Sequence, residues 1–233
     1  MGLYSSGVGT FFGSLGSKVH LIQRSDKLLT REDEEISRSF TAEFGKKHKI
    51  LLSPEPEMIT NKEGLYNAKV KSSIKENNIT VRAKELLIAV GVTPNTDSLK
   101  PKKTGVILDE RGFVVVDEYL ETNVKGIFGL GDVIGRYMLK YSANLEAQYS
   151  YYNIIDSDNK IPINYNAIPH AVFTSPQIAG VGLSEQEAKA TELDFVVGKY
   201  PYIDTGMGMA LKDESGFVKI LVEKVHIKYW VAT

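Results

Sequence analysis

Ile36, Phe40 and Phe44 recur at four-residue spacing among charged positions, the rhythm of an amphipathic helix, and predict one over residues 31–47. Thr30 and Asp33 open it with a Thr-x-x-Asp capping signal. Short apolar runs flank this helix. Val19-His20-Leu21-Ile22 and Ile50-Leu51-Leu52 both read as buried strands. Residues 7–16 read as a Gly-rich helix with Phe11, Phe12 and Leu15 on one face. Residues 57–61, 65–72 and 79–81 read as a small antiparallel meander, closed by a strand over residues 85–90 that runs into Gly91.

Thr93-Pro94 marks a linker. Beyond it, strands are expected near Val106, Val114 and Ile127, and a helix over residues 142–155. The polar run at residues 156–160 makes a second boundary. From residue 167 the pattern changes. Short strands at 171–173, 178–181, 195–200 and 217–222 surround a short helix capped by Ser184 and Glu187. A block of α/β character is thus followed by antiparallel β with a helix.

A chain of 233 residues can bury one large core or two small ones. With 42% hydrophobic and 24% charged residues, the composition is that of a globular protein. The net charge of −1 offers nothing to nucleic acid or to a membrane surface. No apolar run approaches a membrane span and no signal-peptide pattern opens the chain, so the cytoplasm is the expected location. There is no cysteine, hence no disulfide, thiolate metal site or redox dithiol within these residues. His20, His48, His170 and His226 lack metal-ligand spacing, and no metal is expected.

The candidate chemistry lies in ordered segments. Gly129-Leu130-Gly131-Asp132 ends an apolar run just before a helix-forming stretch that opens with Met138-Leu139-Lys140. Glycines there let a bulky ligand approach the backbone, and an aspartate at a strand end can accept hydrogen bonds from ribityl or ribose hydroxyls. Gly16-Ser17-Lys18-Val19-His20-Leu21-Ile22 matches the second strand of a dinucleotide-binding βαβ unit, with Arg24 just past the strand end. Ala89-Val90-Gly91-Val92-Thr93-Pro94-Asn95 follows, and then two long segments, residues 167–184 and 210–220.

In this order, these segments resemble the pyridine nucleotide-disulfide oxidoreductases, a family that includes dihydrolipoamide dehydrogenase and the mercuric, glutathione and mycothione reductases. The run from Tyr202 to Leu211 and the Pro176-Gln177 dipeptide look closest to mycothione reductase. The resemblance implies an incomplete Rossmann-like nicotinamide-binding domain over residues 1–94. It implies the second half of an FAD-binding domain over 95–164 and an incomplete α+β dimerisation domain over 165–233. Asp132, after Gly131, would contact the FAD ribityl chain. Met138, Leu139 and Lys140 would line the isoalloxazine, with Ala143 on the same side. Gly2, Ser5, Arg24 and Gly91 would serve the nicotinamide cofactor. Arg24 stands where an NAD site would hold an acid, which favours NADP over NAD.

The family implies a homodimer acting on a small-molecule or protein-bound disulfide. This sequence departs from it in several places. Val92 replaces an arginine, Gln177 a glutamate, and Gly7 the glutamate beside the nicotinamide. The cysteine pair, the first FAD half and the catalytic His and Glu are not among these residues, so none of them is expected to be catalytic and FAD binding is expected to be weak or absent. At either end, suitable codons read one base out of frame restore family-like residues. Truncation at both ends by frameshift is therefore an expectation, as is the alternative of a non-catalytic remnant or a partner-dependent NAD(P)-binding and dimerisation module.

Overall fold

The computed structural model describes residues 3–71, 78–224 and 229–232, with only the backbone described at residues 3, 4 and 229–232. The chain forms α1 (Leu3–Ser14), β1 (His20–Gln23), α2 (Glu34–Lys47), β2 (Lys49–Leu52), β3 (Glu55–Lys62), β4 (Leu65–Lys71) and β5 (Asn78–Ala83). It continues with α3 (Pro101–Thr104), α4 (Lys140–Ile155), β6 (His170–Val172), β7 (Ile178–Gly180) and α5 (Glu185–Lys189). Last come β8 (Phe195–Pro201), α6 (Gly206–Leu211), β9 (Phe217–Glu223) and β10 (Tyr229–Ala232). This mixed α/β chain divides into two compact units, Met1–Val90 with Ala171–Thr233, and Gly91–His170. Among the described residues no helix is long and apolar enough to cross a membrane.

In the first unit, β1 and β2 pair in parallel, Leu21 opposite Ile50, with α2 as the connection. The helix presents its predicted stripe to them. Leu21, Leu28, Leu29, Phe40, Phe44 and Val172 form one core, with Ile50, Leu52 and Ile178 packed against it. The cap of α2 is Asp33, whose side chain accepts the Glu35 N–H at 3.0 Å, and not Thr30. Leu29 adopts φ 52° and its carbonyl accepts the Glu32 N–H, so Thr30 to Glu32 form a turn ahead of the helix.

β3, β4 and β5 form the expected antiparallel meander. The strand expected over residues 85–90 does not form. These residues find no ladder partner, and Leu87, Ile88 and Val90 stand 59%, 67% and 78% exposed. β9 lies between β8 and β10, antiparallel to both. β10 has no counterpart in the sequence-based expectation. Ser184 and Glu187 cap α5 reciprocally, and Ala188 and Leu221 pack together beneath it with Leu183 and Phe195.

The second unit has little sheet. Where strands were expected near Val106, Val114 and Ile127, there are isolated bridges, Leu108 with Val114 and Glu121 with Phe128. Aspartates cut these runs short. The Asp109 carboxylate accepts the N–H groups of Arg111 and Phe113, and that of Asp117 accepts those of Tyr119 and Glu121, so the backbone turns instead of extending.

The helix α4 is polar inside. Its buried residues are Ser142, Glu146, Ser150 and Asn153, while Tyr151, Tyr152, Ile154 and Ile155 are exposed. Asn153 donates to the carbonyls of Tyr119 and Ile161 and accepts the Ile161 N–H at 2.7 Å. The directional bonds of Glu146 and Asn153, not an apolar stripe, seat this helix, while the buried Ser150 hydroxyl has no partner among the described residues.

Candidate functional site

In the second unit the apolar run 127–130 leads into a 3-10 turn, Gly131–Ile134. Gly131 has φ 73°, a conformation that side chains disfavour, which explains the glycine. A Cβ placed there would meet the Ala143 Cβ at only ordinary contact distance, so the backbone angle, not crowding, requires glycine. Gly129 differs from its sequence-based reading. A Cβ there would lie 3.0 Å from Val116 and 3.1 Å from Ile134, so its bare Cα makes room for the protein's own side chains and not for a ligand.

Asp132 follows on the exposed side of the turn, and its carboxylate has no partner among the described residues. Its carbonyl accepts the Gly135 N–H at 3.1 Å, and Gly135 closes the turn at φ 66°. Met138 takes φ 55° and Leu139 is the extended residue preceding α4. No side chain caps α4, and the Ser142 hydroxyl donates back to the Leu139 carbonyl. The first N–H groups of α4, beginning at Lys140, are therefore open toward an acceptor. The Lys140 ammonium turns along the helix to Asn144. The structure thus gathers Gly131, Asp132, Met138, Leu139, Lys140 and Ala143 into one turn and the helix start it feeds.

Three residues of this region had no place in the sequence-based site. Glu146, 1% exposed, accepts the Gly131 N–H at 2.6 Å through one oxygen and the Tyr165 hydroxyl at 2.9 Å through the other. The Arg136 guanidinium lies over the Tyr165 ring, 4.6 Å from its centre. Burial pushes the Tyr165 phenol up to about 12, the Arg136 guanidinium opposing and the Glu146 carboxylate adding to the shift. The signal available in sequence was the polar series Ser142, Glu146, Ser150, Asn153 at helical spacing.

In the first unit, Ser5 lies half-buried in the first turn of α1 and Arg24 follows the end of β1. Gly9 on α1 sits beside Val19, so the helix packs back along the approach to the strand. Arg24 is exposed and lines a depression of about 440 Å³ with Ser53, Pro54, Glu55 and Pro56. The Ser53 N–H, donating to the Gln23 and Ser25 carbonyls, ties this rim to the strand end. Gly2 lies outside the described residues, and Gly91 belongs to the second unit. Among the described residues no group of histidines and carboxylates could hold a metal ion.

Residues 2–147 match the family model described as pyridine nucleotide-disulphide oxidoreductase, and residues 168–228 match the dimerisation domain of the same family. The chain is 36% identical over 220 residues to a mycothione reductase of Mycobacterium tuberculosis, covering 91% of this chain and 46% of that protein. It is 30% identical over 224 residues to a dihydrolipoyl dehydrogenase of Haemophilus influenzae, covering 96% of this chain and 46% of that protein. Among solved structures, the HOCl-induced flavoprotein disulfide reductase RclA from Escherichia coli superposes with a TM-score of 0.85 at 26% identity, over 98% of this chain and 52% of that one. The chain spans about half the length of the curated relatives it matches. It belongs to the pyridine nucleotide-disulphide oxidoreductases.

Proposed function

We propose that this chain supplies the nicotinamide-binding region, half of the FAD site and the dimerisation region of a flavin-dependent NAD(P)H:disulfide oxidoreductase. The observation that carries the reading is the Gly131–Asp132 turn, with an unpartnered carboxylate on its exposed side and an uncapped α4 just beyond. These residues fit a flavin. Asp132 would accept a ribityl hydroxyl, Met138 and Leu139 would lie along the ring, and the open N–H groups from Lys140 onward would face its polar edge. Ser5, Gly91 and Arg24 would bind the dinucleotide, Gly2 with them, and Arg24 would favour the phosphate of NADP. FAD, when bound, supplies hydride acceptance from the nicotinamide and electron delivery to a disulfide. The residue boundaries 94 and 164 divide these roles, and a homodimer is the assembly that the match to a dimerisation domain supports.

The absence of cysteine favours one refinement. The thiols for disulfide chemistry would come from residues other than these 233, whether of the same polypeptide or of a partner. The test is FAD titration of the purified chain and of Asp132→Ala, followed by flavin fluorescence and absorbance. Bound flavin is expected below one per chain, with affinity about tenfold weaker in the variant, the worth of one charge-assisted hydrogen bond. Equal affinity in both proteins would remove Asp132 from the site and overturn the flavin reading that rests on it.

A further inference from the structure

The loop 131–139 is held from a distance by one residue. Tyr165 lies beyond the end of α4, in a segment that runs back along it. Asn153 grips that segment through both the N–H and the carbonyl of Ile161, and the Ile163 N–H donates to the Glu118 carbonyl at 2.9 Å. So anchored, Tyr165 reaches the loop at two places. Its hydroxyl donates to Glu146, whose other oxygen accepts the N–H of Gly131 at the loop's start. Its ring meets the loop's middle, with the Arg136 guanidinium 4.6 Å and the Tyr137 ring 5.0 Å from its centre.

We propose that Tyr165 is a positioning residue, fixing through Glu146 and the Arg136–Tyr137 pair the loop that presents Asp132 and leads to Met138 and Leu139; its use for a flavin rests on the function proposed above. The chemistry is suited to the task. The phenol stays protonated across the physiological range, so it remains a donor to a carboxylate that has only acceptors to offer. Glu146 is nearly sealed from water, and a buried carboxylate oxygen left without a donor costs more than the bond it replaces gains. Both oxygens therefore hold their partners, and a displacement of the 131 turn is opposed at Tyr165. A mobile Asp132 would be a weaker ligand than a fixed one, because ordering it would be charged against binding.

Tyr165→Phe keeps the ring and removes the hydroxyl, and with it the donor to Glu146 and its polar contact with Arg136. Amide hydrogen exchange over residues 130–139 of the free full chain is expected to quicken about tenfold, the effect of losing one hydrogen bond to a charged acceptor, with exchange in α2 and the melting temperature nearly unchanged. FAD affinity is expected to fall several-fold in the wild-type background and clearly less in the Asp132→Ala background, since the tyrosine acts chiefly through that carboxylate. Unchanged exchange over 130–139 would overturn the proposal. So would a loss spread over the whole chain with a matching drop in melting temperature, or an equal loss of FAD affinity in both backgrounds. Local loosening, with FAD affinity equal in the wild type and in Asp132→Ala, would leave the positioning role standing and refute the flavin function instead.

Discussion

The ammonium of Lys219 on β9 lies 2.8 Å from the Asp33 carboxylate at the start of α2, with 3% or less of either side chain exposed. Glu185 lies 2.6 Å and Glu35 3.3 Å from the same ammonium, and these two carry Lys189 and Lys199 as outer partners. Asp33 also accepts the N–H groups of Glu35 and Glu185, so one carboxylate joins the starts of α2 and α5. Losing the cation leaves a buried carboxylate uncompensated. Lys219→Met is expected to destabilise the chain by about 3–5 kcal/mol in urea unfolding, and the Asp33→Asn, Lys219→Met pair by less than the sum of the singles. A loss below about 1 kcal/mol, the worth of a surface pair, would show the cluster to be solvated.

The same cluster sets a pH dependence. Burial raises the Asp33 carboxyl, but the Lys219 ammonium and the N–H groups of Glu185 and Glu35 outweigh it and hold it below its ordinary value. Glu35 is lowered chiefly by Lys199, and Glu185 by Lys189 and then Lys219. For groups lowered in the folded state, the stabilisation is complete above the ordinary carboxylate pKa of about 4 and is lost as pH falls through the folded values. Burial opposes the charge on Lys219, yet Asp33 and Glu185 raise it, so its share is present below about 10.4 and is lost as pH rises through the folded value. The cluster's contribution is expected to be flat between these limits, and unfolding midpoints to fall on the acid side of the carboxylate limit, less steeply in Lys219→Met. An identical acid limb in the variant would count against the assignment.

Local pattern carried much of the fold. The stripe Ile36, Phe40, Phe44 is buried as its spacing implies, and the meander and the antiparallel block stand where their alternation placed them. Pattern failed where partners decide. Residues 85–90 have strand composition but find no ladder partner among the described residues, and Phe11 and Phe12 on α1, with Leu15 just past its end, are left uncovered. Lys219 and Asp33 stand 186 residues apart, so no window contains both. Glu146 and Tyr165 are only 19 apart, but their bond depends on a chain reversal after α4. The Gly131–Asp132 motif was legible because its signal is contiguous, and the bracing of that motif was not.

Arg24 provides a test of nucleotide choice. With an exposed guanidinium at the end of β1 and Glu55 sharing its depression, a modest preference for NADPH over NADH is expected, with weak affinity for both. Arg24→Ala should bring the ratio of the two dissociation constants close to one, leaving NADH binding nearly unchanged, as read by quenching of the protein's tryptophan fluorescence. Tight NADH binding with none of NADPH would refute the arginine's role.

Self-association is expected of the purified chain. In the first unit Leu87, Ile88 and Val90 stand exposed in a run outside any ladder, and among the described residues β1 has a neighbour on one edge only. Open backbone beside apolar side chains invites pairing with another molecule. Sedimentation velocity should show concentration-dependent association, reduced by Leu87→Lys with Val90→Lys. A monodisperse monomer at all concentrations would overturn this reading.

The polar interior of α4 has a consequence for variation. An oil-lined helix can rotate or exchange leucine for methionine and still bury something acceptable, because apolar contact has no direction. A shift of α4 by one residue turns its inward side by about 100° and would strand Gly131, Tyr165, Tyr119 and Ile161 at once. Sequences able to occupy this helix are therefore few on the inward side and many on the outward one, a sharper contrast than an apolar core imposes, and a library scored on hydrophobicity alone would discard the very residues that hold the Gly131 turn in register.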